Sequence, residues 1–248
     1  MKLKGKTALV TGASSGIGRA TAIHLAKEGA NVAITARRVE RLEELKGELE
    51  QHGVKCIAVK GDVTVKEDCY NVVKTIMDEW GKLDILVNNA GVMPLSYVDK
   101  VKVDQWEKMV DVNVKGVLFM TAAALPHMTE AKGGHIVNVS SVAGRRVFKG
   151  GAVYCATKFA VTAFSEGLRQ ELAPQYGIRV TSIEPGAVDT ELGHDITDED
   201  IIENFMDSME KMKKLESDDI AAGITYAVTQ PQHVDVDEIE IRPTQQPL

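Results

Sequence analysis

Apolar residues along the chain cluster in two alternating ways. Short runs, apolar or β-branched at most positions, stand at Thr7–Thr11, Asn31–Thr35, Lys55–Val59, Leu83–Val87, His135–Val139 and Arg179–Ile183, with a last candidate at Glu238–Ile241. Longer stretches that interleave apolar and charged residues fill the gaps, at about Gly18–Glu28, Arg38–His52, Glu67–Trp80, Trp106–Leu125 and Tyr154–Leu172. Continuous apolar runs of this length read as strands covered on both faces, and the interleaved stretches as amphipathic helices. Their alternation predicts an α/β fold: one parallel sheet of about seven strands, doubly wound, with helices on both faces. No Pro/Gly/Ser-rich linker, low-complexity tract or internal repeat divides residues 1–248, so a single domain is predicted. Residues 191–217 break the rhythm. They run from acidic (TDEDIIEN) to basic (EKMKK) and carry three methionines, which predicts a substrate lid within the domain.

Composition narrows the partners. With 248 residues, 44% of them apolar, the chain can bury a full core. A net charge of −7 argues against a nucleic-acid partner, which needs a clustered basic face. Cys56, Cys69 and Cys155 form neither a CxxC nor a Cys/His spacing, so no disulfide framework and no metal site are expected. No apolar run reads as long enough to cross a bilayer, and the opening MKLKGKTALVTG reads as a first strand, not a secretory leader. A cytoplasmic protein with no membrane partner is the expectation.

Candidate chemistry begins at Thr11-Gly12-Ala13-Ser14-Ser15-Gly16-Ile17-Gly18, between the first strand and the first helix. Glycines at 12, 16 and 18 allow a tight turn and a close approach of backbone to a pyrophosphate, whose charge a helix N-terminus favours. The spacing is GxxxGxG and not the commoner GxGxxG, but its place directly after a strand points to a Rossmann-type dinucleotide site. The second strand then ends Ala33-Ile34-Thr35-Ala36-Arg37-Arg38, with no carboxylate to bond a ribose 2′-hydroxyl. Arg37 and Arg38 are suited instead to a 2′-phosphate, because the guanidinium fork matches its oxygens. One charge-assisted bond of about 1.5–3 kcal/mol would favour NADP(H) over NAD(H) roughly ten- to a hundredfold.

TGASSGIG, NNAG at 88–91 and Tyr154-Cys155-Ala156-Thr157-Lys158, in this order, resemble the short-chain dehydrogenase/reductase family in its single-domain branch. The likeness is collinear from Gly5 to about Thr190. EPGAVDTELGH and the ending EIEIRPT resemble bacterial NADP-dependent members of the clavulanic acid dehydrogenase and 3-hydroxy acid/serine dehydrogenase type. The resemblance implies that Gly12, Ser14, Ser15, Gly16, Ile17 and Gly18 cradle the cofactor. It also implies that Asp62 and Val63 hold adenine, that Asn89, Ala90 and Gly91 line the ribose, and that Asn88 braces the central strands. Pro185, Gly186, Val188 and Thr190 would surround the nicotinamide. Glu184 departs from the family pattern.

The resemblance also implies a catalytic set of Asn113, Ser141, Tyr154 and Lys158. Reducing a ketone by hydride transfer leaves an alkoxide that needs a proton, and Tyr154 is the candidate donor. Lys158, four residues on, shares its helix face. Its ammonium, with the oxidised nicotinamide ring, is expected to lower the phenol from about 10; a shift of about three units would require roughly 4 kcal/mol. Lys158 would also hold the nicotinamide ribose. Ser141 would bond the substrate carbonyl, with Ser140 turned to the opposite side. Asn113 would bend its helix and hold a relay water.

His127, His135, His194 and His233 lack ligand spacing and read as structural or surface residues, and Cys155 as packing. Arg145 and Arg146 leave two readings open, attraction of a carboxylate- or phosphate-bearing substrate or a surface or interface role. The predicted function is NADPH-dependent interconversion of a small ketone or aldehyde with its alcohol. A 3-oxoacyl carrier-protein reductase and a non-catalytic NADP-sensing protein are the alternatives. By the resemblance, a homotetramer is expected.

Overall fold

The computed structural model describes residues 1–203 and 212–246. Seven strands form one parallel sheet in the order β3-β2-β1-β4-β5-β6-β7. They are β1 (Thr7–Thr11), β2 (Asn31–Ala36), β3 (Cys56–Lys60), β4 (Ile85–Asn88), β5 (Gly134–Val139), β6 (Ile178–Pro185) and β7 (Glu238–Ile241). The order reverses between β1 and β4, and a doubly wound sheet binds its ligand in the crevice that this reversal opens.

Helices α1 (Gly16–Lys27) and α2 (Val39–Glu50) cover one face together with α8 (Ser217–Val228), which packs along α1. Helices α3 (Lys66–Trp80), α5 (Gly116–Ala131) and α6 (Ala152–Tyr176) cover the other. Leu9, Leu86, Ile136 and Val180 point to this second face, while Ala8, Val10, Val87 and Val137 point to the first. That alternation explains why the strands read as continuous apolar runs: both sides are buried. Helix α4 (Val103–Val110) leads through a π-helical turn at Asp111–Lys115 into α5, and α7 is the short turn Glu199–Ile201.

Several boundaries shift. Strand β4 starts at Ile85, not Leu83, because Asp84 is used as a clasp: its carboxylate accepts from the Thr7 amide at 2.9 Å and from Lys6 Nζ at 2.8 Å. Helices α5 and α6 run past their expected ends at Leu125 and Leu172, through Pro126 and Pro174. A proline deletes one intrahelical bond, and near a helix end the packing of the remaining turn outweighs it. One reading is corrected: the continuous helical stretch Val103–Ala131 is long and apolar enough, by length and composition, to cross a bilayer. Here one side of it lies against the sheet: Met120, Ala124 and Met128 share a cluster with Leu86 and Ile136, while Val103, Val110 and Leu118 are exposed.

Of residues 191–217, positions 204–211 lie outside the described residues, so only the flanks of the expected lid are placed.

Candidate active site

The glycine loop caps β1 and is braced from β4. Thr11 Oγ1 accepts from the amides of Asn89 and Ala90 at 3.0 and 3.1 Å. The Asn89 side chain returns a bond to Thr11 O at 2.9 Å. Glycine is required here by space. A Cβ on Gly18 would overlap the Asn89 amide and stand 2.6 Å from Gly12 O, and one on Gly12 would meet Ala90 Cα at 2.8 Å. Gly12 and Gly16 also hold positive φ, +64° and +55°, which glycine adopts without a steric penalty. Ser15, the residue before α1, makes no side-chain cap bond. The first-turn amides of α1 are therefore not capped by a serine hydroxyl, as an anion-binding helix start requires. Ile17 packs on the core.

Of the two candidate arginines, Arg38 is the one on this loop. Its Nε and one terminal nitrogen donate to Ser14 Oγ at 3.1 and 2.8 Å, and the same terminal nitrogen reaches Ser15 Oγ at 2.7 Å. Arg37, next to it, is exposed. Asp62 sits beyond β3, with Oδ1 accepting from the Thr64 amide and hydroxyl at 2.9 and 2.8 Å. Val63 fills the space over Gly116, where a Cβ would stand 2.7 Å from Val63 Cγ2. Asn88 braces the sheet as expected, donating to Asn138 Oδ1 at 2.9 Å and Thr121 Oγ1 at 3.1 Å. The Asn89 side-chain nitrogen is on the glycine loop, and Gly91 lies 3.8 Å, as measured from a Cβ built on it, from Lys158 Nζ.

The four candidate catalytic residues converge at the C-terminal edge of β4, β5 and β6. Asn113 lies in the π-turn, buried, and uses both ends of its amide: Oδ1 accepts from Val92 N at 2.9 Å, while Nδ2 donates to Val92 O at 3.0 Å and Thr157 Oγ1 at 3.1 Å. Tyr154 is buried and hydrogen-bonded to the Ser141 side chain. Ser141 Oγ also donates to Pro185 O at 3.3 Å and accepts from Ala143 N at 3.1 Å. Ser140 points to the other side, onto Lys158 O and Thr162 Oγ1 of α6. Lys158 Nζ donates to Val139 O at 2.9 Å and lies 5.8 Å from the centroid of the Tyr154 ring.

Burial moves the two titrating groups in opposite directions. It pushes the Tyr154 phenol up to about 12, offset only in part by the Ser141 bond, and pushes the Lys158 ammonium down to about 8. The expected lowering of the phenol is therefore not produced by the chain's own groups. Desolvation of the phenolate outweighs what they supply.

Pro185 ends β6, and Gly186, Val188 and Thr190 follow it. Gly186 N donates to Ile241 O at 2.7 Å, Val188 bridges to Leu215, and Thr190 Oγ1 accepts from Leu192 N at 3.3 Å. Glu184, unassigned from sequence, is buried and accepts from Ser182 Oγ at 3.0 Å and from Arg145 Nε at 2.9 and 3.1 Å. Arg145 also pairs with Glu238. Its guanidinium thus serves a buried carboxylate and the last strand, which answers the question its position raised. Arg146 is exposed. His135 is buried with Nε2 2.7 Å from Thr181 Oγ1, and burial holds it well below the usual histidine range. No three His, Cys, Asp or Glu side chains cluster to hold a metal among the described residues.

A glycine-braced crevice at the switch point, beside a buried Tyr–Ser–Lys–Asn group, defines an oxidoreductase of the nucleotide-binding α/β class. The chain belongs to the short-chain dehydrogenase family, whose sequence profile matches residues 6–201. An uncharacterized oxidoreductase of Staphylococcus saprophyticus is 44% identical over 247 residues, covering 99% of each chain. Among solved structures, the closed form of a serine dehydrogenase complexed with NADP+ superposes with a TM-score of 0.88 at 35% identity, covering 98% of this chain and 96% of that one. A 3-ketoacyl-(acyl-carrier-protein) reductase from Brucella melitensis complexed with NADH gives 0.86 at 32% identity, covering 98% and 99%.

Proposed function

We propose that this protein interconverts a ketone or aldehyde with its alcohol, with NADP(H) as the hydride carrier and Tyr154 as the proton donor or acceptor. The observation that carries the reading is the convergence of Tyr154, Ser141, Lys158 and Asn113 beside the glycine loop. The residues fit such a cofactor: the loop tolerates no side chain at Gly12 or Gly18, the start of α1 is not side-chain capped, and Arg38 with Ser14 and Ser15 offers donors to a 2′-phosphate. When bound, the nicotinamide supplies or accepts the hydride at the carbonyl carbon.

The chain's own groups handle the oxygen. With substrate bound, Ser141 Oγ turns its one proton from Pro185 O to the carbonyl oxygen and orients that oxygen toward the Tyr154 hydroxyl. With its phenol held up at about 12, Tyr154 is fully protonated near neutrality, ready to release a proton to the developing alkoxide. Lys158, held at about 8, is mostly ammonium at pH 7 and stabilises the phenolate left behind. Asn113 fixes Val92 and Thr157, whose hydroxyl donates to Tyr154 O at 2.7 Å, so the tyrosine's helix turn is anchored to the bent helix. Homotetramer assembly and a cytoplasmic location are part of the same proposal, the former testable by light scattering of the purified protein.

The test follows oxidation of NADPH and of NADH against ketones, aldehydes, 3-oxo esters and an acyl thioester. NADPH is expected to be used roughly ten- to a hundredfold better, from the Arg38 contact. Tyr154→Phe is expected to lower kcat/KM by at least about a hundredfold, the usual scale of a positioned acid, while NADPH binding persists. Unchanged turnover in that variant would sink the mechanism. The likeness to the Brucella reductase gives the carrier-linked reading a specific footing, and preferred turnover of the thioester would select it.

A further inference from the structure

Beyond β6 the chain departs and returns through one stem: Asp189 N donates to Leu215 O at 2.8 Å, and Leu215 N to Ala187 O at 3.0 Å. Thr190, just past the stem, lies against the glycine loop, its Cγ2 3.2 Å from where a Gly16 Cβ would stand. The next residue, Glu191, sets one carboxylate oxygen 2.7 Å from Arg38 and the other 2.7 Å from Arg41. Arg38 therefore divides its planar fork. Nε and one terminal nitrogen face Ser14 and Ser15, and the other terminal nitrogen faces Glu191.

A guanidinium offers five N–H donors in one plane and no more. A phosphate monoester brought to Ser14 and Ser15 must draw on the same fork, next to a carboxylate of like charge. Arg38 and Arg41 hold that carboxylate down at about 2, so it stays charged at every working pH. The contact is 40–43% exposed on both sides, where an ion pair contributes little to folding. Its position matters more to an incoming anion than to stability.

We propose that Glu191 is a specificity-determining residue, its carboxylate competing with the 2′-phosphate of the cofactor for Arg38. The proposal rests on the NADP(H) reading above. Competition of this kind sets the affinity for NADPH below what Arg38 alone would give, and leaves the affinity for NADH untouched. It also makes the nucleotide site sensitive to the segment that begins at Glu191, a position about 150 residues distant in sequence from the loop it touches.

The experiment compares two probes that differ only in the 2′-phosphate, 2′,5′-ADP and 5′-AMP, by calorimetric titration at fixed ionic strength. Wild type, Glu191→Gln and Arg38→Ala are each titrated. Removing the competing charge frees about one charge-assisted bond, so Glu191→Gln is expected to bind 2′,5′-ADP about tenfold more tightly and 5′-AMP within about twofold of wild type. Arg38→Ala is expected to erase the preference for the 2′-phosphate. If wild type prefers 2′,5′-ADP, Arg38→Ala loses that preference, and Glu191→Gln binds it equally or more weakly, competition is overturned while the NADP(H) reading stands. If neither wild type nor Glu191→Gln distinguishes the probes, both ideas fall. If only Glu191→Gln distinguishes them, competition stands and the NADPH preference is what fails.

Discussion

The floor of the candidate site and the 191–203 segment that borders it are held by different physics. On the floor, Asn113, Ser141, Tyr154 and Lys158 are buried, and each bond is directional: to Val92, to Pro185 O and Ala143 N, to Ser141, to Val139 O. Along the segment the attachments are mostly ion pairs at the surface: Glu191 with Arg38 and Arg41, Asp195 with Lys108 at 2.8 Å, Asp200 with Lys100 at 2.8 Å. Three buried exceptions pin it: Ile196, Ile201 against Gly150, and Asp198, which accepts from Tyr97 N at 3.2 Å. Losing a buried partner strands a desolvated polar group at about 1–3 kcal/mol, whereas an exposed pair contributes about 0–1 kcal/mol. Reacting groups are thus fixed where errors are costly, and the border is attached where rearrangement is cheap.

The comparison breaks most readily at Asn113. Asn113→Leu keeps the volume and deletes three hydrogen bonds, leaving Val92 N, Val92 O and Thr157 Oγ1 short of partners. A loss of about 3–5 kcal/mol is expected, read from the urea midpoint at constant m-value. A loss below about 1 kcal/mol would mean that the floor is no more demanding than the border.

Lys158 sharpens the same point through pH. Its ordinary value is 10.5, and burial brings it to about 8. Between pH 8 and 10.5 the unfolded chain keeps the proton that the folded one releases, so stability rises with pH across that window. Below pH 8 both states are protonated and the full penalty of burying the charge remains. The wild type is expected to gain roughly 3 kcal/mol relative to Lys158→Met across the window, since each unit corresponds to about 1.4 kcal/mol. Tyr154 acts oppositely, its phenol raised from 10.0 to about 12, so stability falls above pH 10. Urea titrations from pH 7.5 to 10 isolate the lysine; a flat difference between wild type and variant in that range would remove the claim that its charge is costly.

Most of the frame was legible in the sequence because it depends on local pattern. Thr7–Thr11 and Glu238–Ile241 are strands with the bounds their composition suggests, and the Gly12–Gly18 loop lies at the switch point. Asn113, Ser141 and the Tyr154/Lys158 pair, from three separate stretches of the chain, are brought together by the parallel order of β4, β5 and β6. What was not legible depends on contacts between distant residues. Arg38 meets the loop through Ser14 and Ser15, twenty-four and twenty-three residues earlier. Glu184 turns inward because Arg145, thirty-nine residues earlier, is there to meet it. The phenol shift depends on burial, which no motif reports. The helical stretches read to Leu125 and Leu172 continue through Pro126 and Pro174, because packing carries the helices beyond them.

The smallest expected effect tests the border directly. Asp195 and Lys108 pair at 2.8 Å, 52% and 43% exposed. Asp195→Asn keeps the shape and removes one charge, so its cost should not exceed about 0.5–1 kcal/mol. Whatever cost there is should shrink further at about 1 M salt, where the Debye length falls to about 3 Å. The urea midpoint of this variant, measured at low and high salt beside that of Asn113→Leu, places both regions on one scale. A salt-independent loss above about 1 kcal/mol would show that the 191–203 segment is fixed as firmly as the floor. It would then bound the substrate space as a wall, and the competition assigned to Glu191 would have to act without any yielding of the residues that follow it.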